Sequence, residues 1–298
     1  MPMDERLFYS GVALFSAGSW ALGAILWRKL GEQLSAFSMN LAKTALGALF
    51  LGSALLFTGI EPLDTRSILF LALSGVIGIA IGDTFFFMAL LQLGPRRASL
   101  MGALNPVAIA LAAVVFLHER PTLTVWAGIL VTTFGVGWVL RERTAGNGGN
   151  TNRTGCPAGI WYGLLSVLCT SGAVLLAKVG VDSVPAVHAT WIRLLAGGMA
   201  LALWGLWRAE LGNWVEPFRR GPLLARAAGV VLVVVVGGFW LSLLALKHID
   251  ASIAGPLNST GPLFILPMAV VLLKEKLSLR AVLGAVVAVG GVALILTG

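Results

Sequence analysis

Hydrophobic residues run along this chain in long stretches separated by short polar breaks. Apolar segments lie at about 7–27, 35–57, 67–91, 97–117 and 122–140, and again at about 158–178, 186–207, 222–246, 251–273 and 278–296. Each is about as long as a helix must be to cross the hydrocarbon of a bilayer. None shows the alternation of a half-buried strand. The pattern predicts an all-α integral membrane protein of ten transmembrane helices. One break is longer: residues 141–157 contain Thr144-Ala145-Gly146-Asn147-Gly148-Gly149-Asn150-Thr151-Asn152-Arg153, with no apolar periodicity. It reads as a polar linker loop. Residues 1–140 then form one five-helix unit and residues 158–298 a second.

The two units resemble each other. A shift of 156 places lays Ala89-Leu90 on Ala245-Leu246, Pro106 on Pro262, Glu119 on Glu275, Gly128 on Gly284 and Gly135 on Gly291. A shift of 150 lays Ala36 on Ala186, Lys43 on Arg193 and Gly47 on Gly197, and one of 149 lays Lys29 on Lys178. Matching of Pro, Glu, Lys and Gly in the same order points to an internal duplication. Five is odd, so the second unit enters the membrane from the opposite side. The expected architecture is two inverted five-helix repeats, with a binding site near the membrane midplane where they meet. One chain supplies both halves, so a monomer suffices and a dimer remains possible.

Composition agrees with a membrane protein and removes several other classes. Of 298 residues, 58% are hydrophobic and 11% charged, against about 25% charged in typical soluble domains. The net charge of +8 sits in short loops, where it sets orientation and offers nothing to nucleic acid. Cys156 and Cys169 are the two cysteines, too few for a disulfide framework or a Cys-rich metal site. Met1-Pro2-Met3-Asp4-Glu5-Arg6 leads straight into the first apolar run with no small-residue cleavage site, so a retained span is expected and not a signal peptide. Arg6, Arg66, Arg120, Lys178 and Lys247 share the side of the termini. The other side collects more bases, among them Arg96, Arg97, Arg141, Arg143, Arg219 and Arg220. The positive-inside rule makes that side cytoplasmic, though repeats with opposing signals dilute the bias.

Ionisable residues deep in a span are functional candidates. Lys43 lies about eight residues into the second span, and Arg193 holds the matching place in the seventh. Asp83 follows Gly75, Gly78 and Gly82 in the third span and is the one carboxylate well inside a span. The two cations either pair with Asp83 or snorkel to a surface, or they face a water-filled cavity. A carboxyl poised between burial, which favours its neutral form, and a neighbouring cation, which favours its charged form, is a candidate proton carrier. Pro106 after Asn105, and Pro262 after Asn258-Ser259-Thr260-Gly261, predict kinked helices whose freed carbonyls need polar surroundings. Asn105 and Asn258 are therefore candidate substrate-binding groups, with the prolines as structural or gating elements.

Trp20, Trp191 and Trp240 fall mid-span and are candidates to stack on a substrate ring. Trp27, Trp138, Trp161, Trp204, Trp207 and Trp214 lie near span ends, as interfacial anchors do. Glu119 and Glu275 end the fourth and ninth spans. They are expected to be structural or gating residues that cap the fifth and tenth helices or pair with neighbouring bases.

These residues together resemble EamA-type members of the drug/metabolite transporter superfamily. The resemblance rests on Asn105-Pro106, Leu117-His118-Glu119-Arg120, Trp126-Ala127-Gly128 and Phe134-Gly135-Val136. It is repeated as Gly261-Pro262, Lys274-Glu275-Lys276, Leu283-Gly284 and Gly290-Gly291-Val292. It implies ten helices around a central cavity and alternating access, usually for export of amino acids, metabolites or drugs. Lys29, Lys43 and Arg193 match places where such proteins often carry a base. Two departures stand out. Gly18-Ser19-Trp20 stands where small multidrug exporters embed a Glu, and the loop from Thr58 to Arg66 has a single base.

The expected function is secondary transport of a small metabolite across the cytoplasmic membrane of a bacterium, by alternating access and without a cofactor or metal. An amino acid, another zwitterion or an organic anion is favoured, moved by export. Flipping of a lipid or lipid precursor is the alternative, with cationic drug export behind it. An intramembrane enzyme is least supported. His118, His188 and His248 stand at span ends without metal spacing, and no Gly-rich phosphate loop points to ATP. The partners expected are a small-molecule substrate and the lipid bilayer.

Overall fold

Short polar residues start several of the helices. Ser35 precedes α2 (Ala36–Thr58), and its hydroxyl accepts the N–H of Ser38 at 3.1 Å. Asp64 precedes α3 (Thr65–Gly75) and accepts the N–H of Ser67 at 2.9 Å. Thr122 does the same for Val125, at 3.2 Å, before α5 (Leu123–Ala145). Each satisfies one of the four N–H groups that a helix start leaves without partners. The structure, a computed structural model, describes residues 3–30, 34–59, 63–86, 88–89, 92, 101–145, 157–219, 221–261, 263–264, 268 and 279–298. Among them are helices and turns and no strand.

The helix α1 covers Met3–Leu30. After α3 the chain continues through a π-helical segment, Val76–Gly82, before Asp83. The helix α4 is Asn105–Leu117. In the second half α6 is Pro157–Val181, α7 Ala186–Trp207 and α8 Gly221–Leu232. A second π-helical segment, Val233–Trp240, joins α8 to α9 (Leu241–His248). Then follow α10 (Ala251–Asn258) and α11 (Leu279–Thr297). Among the described residues six stretches are long and apolar enough to cross a membrane: Asp4–Trp27, Ala36–Phe57, Thr65–Phe86, Ala158–Val181, Ala186–Trp207 and Gly221–His248. Asn105–Leu117, Leu123–Trp138 and Val282–Thr297 are shorter apolar helices. Large apolar side chains cover the outside of the bundle, with Leu56 80% and Phe57 92% exposed. An apolar exterior on this scale suits lipid and not water.

Two pairs of elements at matching places in the two halves pack on one another, α2 on α7 and α5 on α11, and α4 packs on α10. α3 packs on α6 and α7, while α1 packs on α9 and the second π segment. The α5–α11 contact is made by backbone. A Cβ placed on Gly128 would come within 2.7 Å of the Gly291 carbonyl oxygen, and one on Gly135 within 2.5 Å of the Ala288 nitrogen. Only glycine allows helices so close.

Three features differ from the sequence expectation. The expected fourth and ninth spans are broken and not merely kinked, by turns at Ala103-Leu104 and Ser259-Thr260, positions that the shift of 156 superposes. Pro106 falls in the first turn of α4, where its missing N–H leaves no hydrogen bond unmade. Pro262 and Glu275 lie outside the described residues. Helix α5 runs on to Ala145 because Arg141-Glu142-Arg143 are good helix formers with no breaker among them. Trp214 is not an open interfacial anchor. It sits on a short helix, Leu211–Val215, is 5% exposed, and stacks on Phe37 at 4.8 Å.

Candidate functional site

Lys43, Asp83 and Arg193 converge from α2, the end of the first π segment and α7. Lys43 Nζ donates to Asp83 Oδ2 at 2.6 Å. The lysine side chain is 9% exposed and the aspartate 33%, so the carboxylate remains reachable. Lys43 Nζ also lies 5.3 Å from the centre of the Phe239 ring, in the second π segment, a cation–π distance. Arg193 rises beside the first π segment. A Cβ on Gly75 would collide with the Arg193 backbone, and one on Gly78 would stand 3.8 Å from the guanidinium Nη2. The carbonyl of Gly78 in turn accepts the backbone N–H of Asp83, which places the guanidinium one wide turn from the aspartate. Each cation therefore lies against the π segment of the opposite half.

Arg193 is less satisfied than Lys43. Its Nε is enclosed and has no hydrogen-bond partner among the described residues. An enclosed donor of this kind is costly and marks a place where a ligand, water or another conformation supplies the partner. Asn40, one turn before Lys43 and 1% exposed, donates through Nδ2 to the Ile79 carbonyl at 3.0 Å. The sequence reading passed over Asn40. Its only signal there was an amide within an apolar span.

The other expected site residues are placed as follows. The Trp191 indole N–H donates to the Ala48 carbonyl at 3.0 Å, and its ring closes over Gly52. Trp20 meets Phe239 edge-on at 4.7 Å and lies over Gly238. Trp240 packs against a cluster of buried side chains that includes Leu243, Leu246 and Ile249. Asn258 Nδ2 donates to Ser242 Oγ at 2.8 Å. The Oδ1 atoms of Asn105 and Asn258 are buried without a partner among the described residues.

Glu119 corrects the sequence reading. It neither caps the fifth helix nor serves mainly as an ion-pair partner. Its two carboxylate oxygens accept the N–H groups of Ala251 and Ser252 at 2.8 and 2.9 Å, capping α10 in the other half. The fifth helix has its own cap in Thr122, which leaves Glu119 free to reach across. Around it, at the end of the bundle where the loops at 63–64, 118–122, 182–185 and 249–250 gather, opens a cavity of about 460 Å³. Asp64, Arg66, Glu119, Lys178, Asp182 and Asp250 line it. Lys178 Nζ donates to the carbonyls of Leu246 and Ile249, each at 2.7 Å, and so closes the C-terminal end of α9. Burial, and then the Glu119 charge, push the Asp250 carboxyl above the usual aspartate value. The Ser67 backbone N–H draws that of Asp64 below it.

The EamA-like transporter family matches residues 8–141 and again residues 157–297. The chain belongs to that family. Two matches side by side account for the internal resemblance, and they make the protein a multi-pass membrane transporter and not an enzyme. An "Uncharacterized transporter" of Archaeoglobus fulgidus is 25% identical over 287 residues, covering 96% of both chains. The "Uncharacterized transporter YvbV" of Bacillus subtilis is 33% identical over 132 residues, 40% of each chain. A solved crystal structure shares the fold, with a TM-score of 0.76 over 98% of this chain and 96% of that one, at 20% identity.

Proposed function

We propose that the chain is a secondary transporter whose ten spans form two inverted repeats. Alternating access carries a small zwitterion or organic anion, by export, past Arg193 and the Lys43–Asp83 pair. One observation carries this reading. Two cations at matching places in the two halves converge on a single carboxylate, and only Lys43 is neutralised by contact. Arg193 keeps an unanswered donor, and a planar guanidinium suits a carboxylate. The mutual packing of matching elements and the paired breaks in the fourth and ninth spans support the inverted architecture.

Asp83 is the proton carrier in this reading. Protonation removes the charge that holds Lys43, and deprotonation restores the pair, so the carboxyl links proton movement to the occupancy of the site. The test is uptake into proteoliposomes under a pH gradient, with substrates first found by thermal unfolding against amino acids, organic acids, amines and nucleobases. Ligand at 100 times its dissociation constant adds about 2.7 kcal/mol. Arg193→Gln should weaken carboxylate ligands at least about tenfold and neutral analogues little, each tenfold being about 1.4 kcal/mol. Equal loss for both ends the anion reading, and proton-driven uptake that survives Asp83→Asn ends the coupling role.

A further inference from the structure

Asn40 does more than fill a polar niche. The backbone N–H of Asp83 reaches back five residues, to the Gly78 carbonyl. In an α-helix it would reach back four, to Ile79. The wide turn thus strips the Ile79 carbonyl of its helical donor, and Asn40 Nδ2 supplies a substitute at 3.0 Å. Within a membrane span a backbone carbonyl must find a partner inside the protein. The amide gives it one while the turn is wide.

We propose that Asn40 is a positioning residue of the transport site. By occupying Ile79, it holds the third span in its π register and so aims Asp83 at Lys43. This rests on the reading of Lys43 and Asp83 as the working pair. A π segment carries one more residue than the α turn that fits the same ends. If the segment closed to α with its residues unchanged, everything beyond it would turn by about 100° and advance by about 1.5 Å. Asp83 is the first residue beyond it, so closure swings its carboxylate off Lys43. Helix α2 therefore grips the third span at two points: Asn40 fixes the register at Ile79, and Lys43, one turn on, receives the carboxylate that this register presents. Among the described residues the Asn40 Oδ1 has no partner, which leaves the bond to Ile79 to orient the amide.

The decisive experiment needs no substrate, so a failed ligand search leaves it standing. Unfolding of the full chain in detergent yields the coupling between Lys43→Met and Asp83→Asn in a double-mutant cycle. The cycle is run with Asn40 in place and again with Asn40→Leu. Positioning predicts a coupling of at least about tenfold in the unfolding constant with Asn40, falling to within about twofold without it. A merely structural amide would lower stability and leave the coupling intact, and that result overturns the proposal. Absence of coupling even with Asn40 would instead remove the working pair itself.

Deletion of Ile81, an outward-facing residue of the segment at 41% exposure, supplies the rescue. One residue fewer makes the turn α while Asp83 keeps its direction, so Asn40 is no longer required. In that background Asn40→Leu should fold and show the full coupling. If Asn40→Leu cannot fold by itself, this variant carries the test, and its failure to fold or to couple refutes the proposal.

Discussion

Lys43 and Asp83 stand 40 positions apart in the chain and 2.6 Å apart in space. Removing one partner strands the other. Loss of one member of a fully buried pair typically costs about 3–5 kcal/mol. Asp83 keeps a third of its side chain accessible, so Asp83→Asn or Lys43→Met should cost about 1–3 kcal/mol once water's screening is allowed for. The double variant should recover most of that loss in unfolding experiments. Additive losses would mean that the contact contributes nothing.

Glu119 is a cap that crosses from one half to the other. Glu119→Ala removes two charge-assisted hydrogen bonds from the start of α10 and should cost about 1–2 kcal/mol. Glu119→Gln keeps one acceptor and should lose about half as much. The midpoint of thermal unfolding in detergent separates the two variants.

Asp250 should respond to pH in the sense opposite to Asp64. Its folded carboxyl is pushed above the unfolded value, by burial first and by Glu119 next. The folded state therefore binds the proton more tightly, and stability falls as pH rises from the unfolded value through the raised one. Asp64 is drawn down by the Ser67 N–H. Its contribution is present above the unfolded value and disappears as pH falls through the lowered one. Asp250→Asn should raise the unfolding midpoint at neutral pH and remove the first dependence. A lowered midpoint would show that attraction to Lys178 outweighs burial.

Gly75 and Gly11 make a matched comparison within apolar helices. A Cβ at Gly75 meets the backbone of Arg193, whereas one at Gly11 meets nothing within 4 Å. Gly75→Ala should cost about 1–3 kcal/mol or more, because backbone cannot rotate aside. Gly11→Ala should gain about 0.5–1 kcal/mol from helix propensity. Circular dichroism followed through unfolding would read both.

The features legible in the sequence were those set by composition and period. Long apolar runs announced the helices, and Lys43, Asp83 and Arg193 stood out because charges are rare within such runs. Charge alone offered their pairing as one reading, beside snorkelling to a surface and facing a water-filled cavity. The role of Asn40 was not foreseeable, because no residue pattern marks a π turn: Val76–Gly82 has the composition of any buried helix, and only the partners of the Gly78 and Ile79 carbonyls distinguish it. Glu119 misled for a related reason. A carboxylate beside a helix start reads as that helix's cap, and no local signal says that Thr122 already holds the place while Ala251 waits across the interface. Trp214 was misplaced because a five-residue helix buries it under rules of tertiary packing that a window of sequence does not contain.

The glycine crossing of α5 and α11 has a mechanical consequence. Gly128, Gly135 and Gly291 bring backbone directly onto the facing helix, so few side chains lie between the two to flex or slide. The pair behaves as a stiff strut joining the halves. Relative displacement of the halves must then be taken up elsewhere, where side chains and wide turns give way more easily. In the proposed alternating-access cycle, the contacts around Val76–Gly82 and Val233–Trp240 are then the compliant seam, with the strut as the fulcrum.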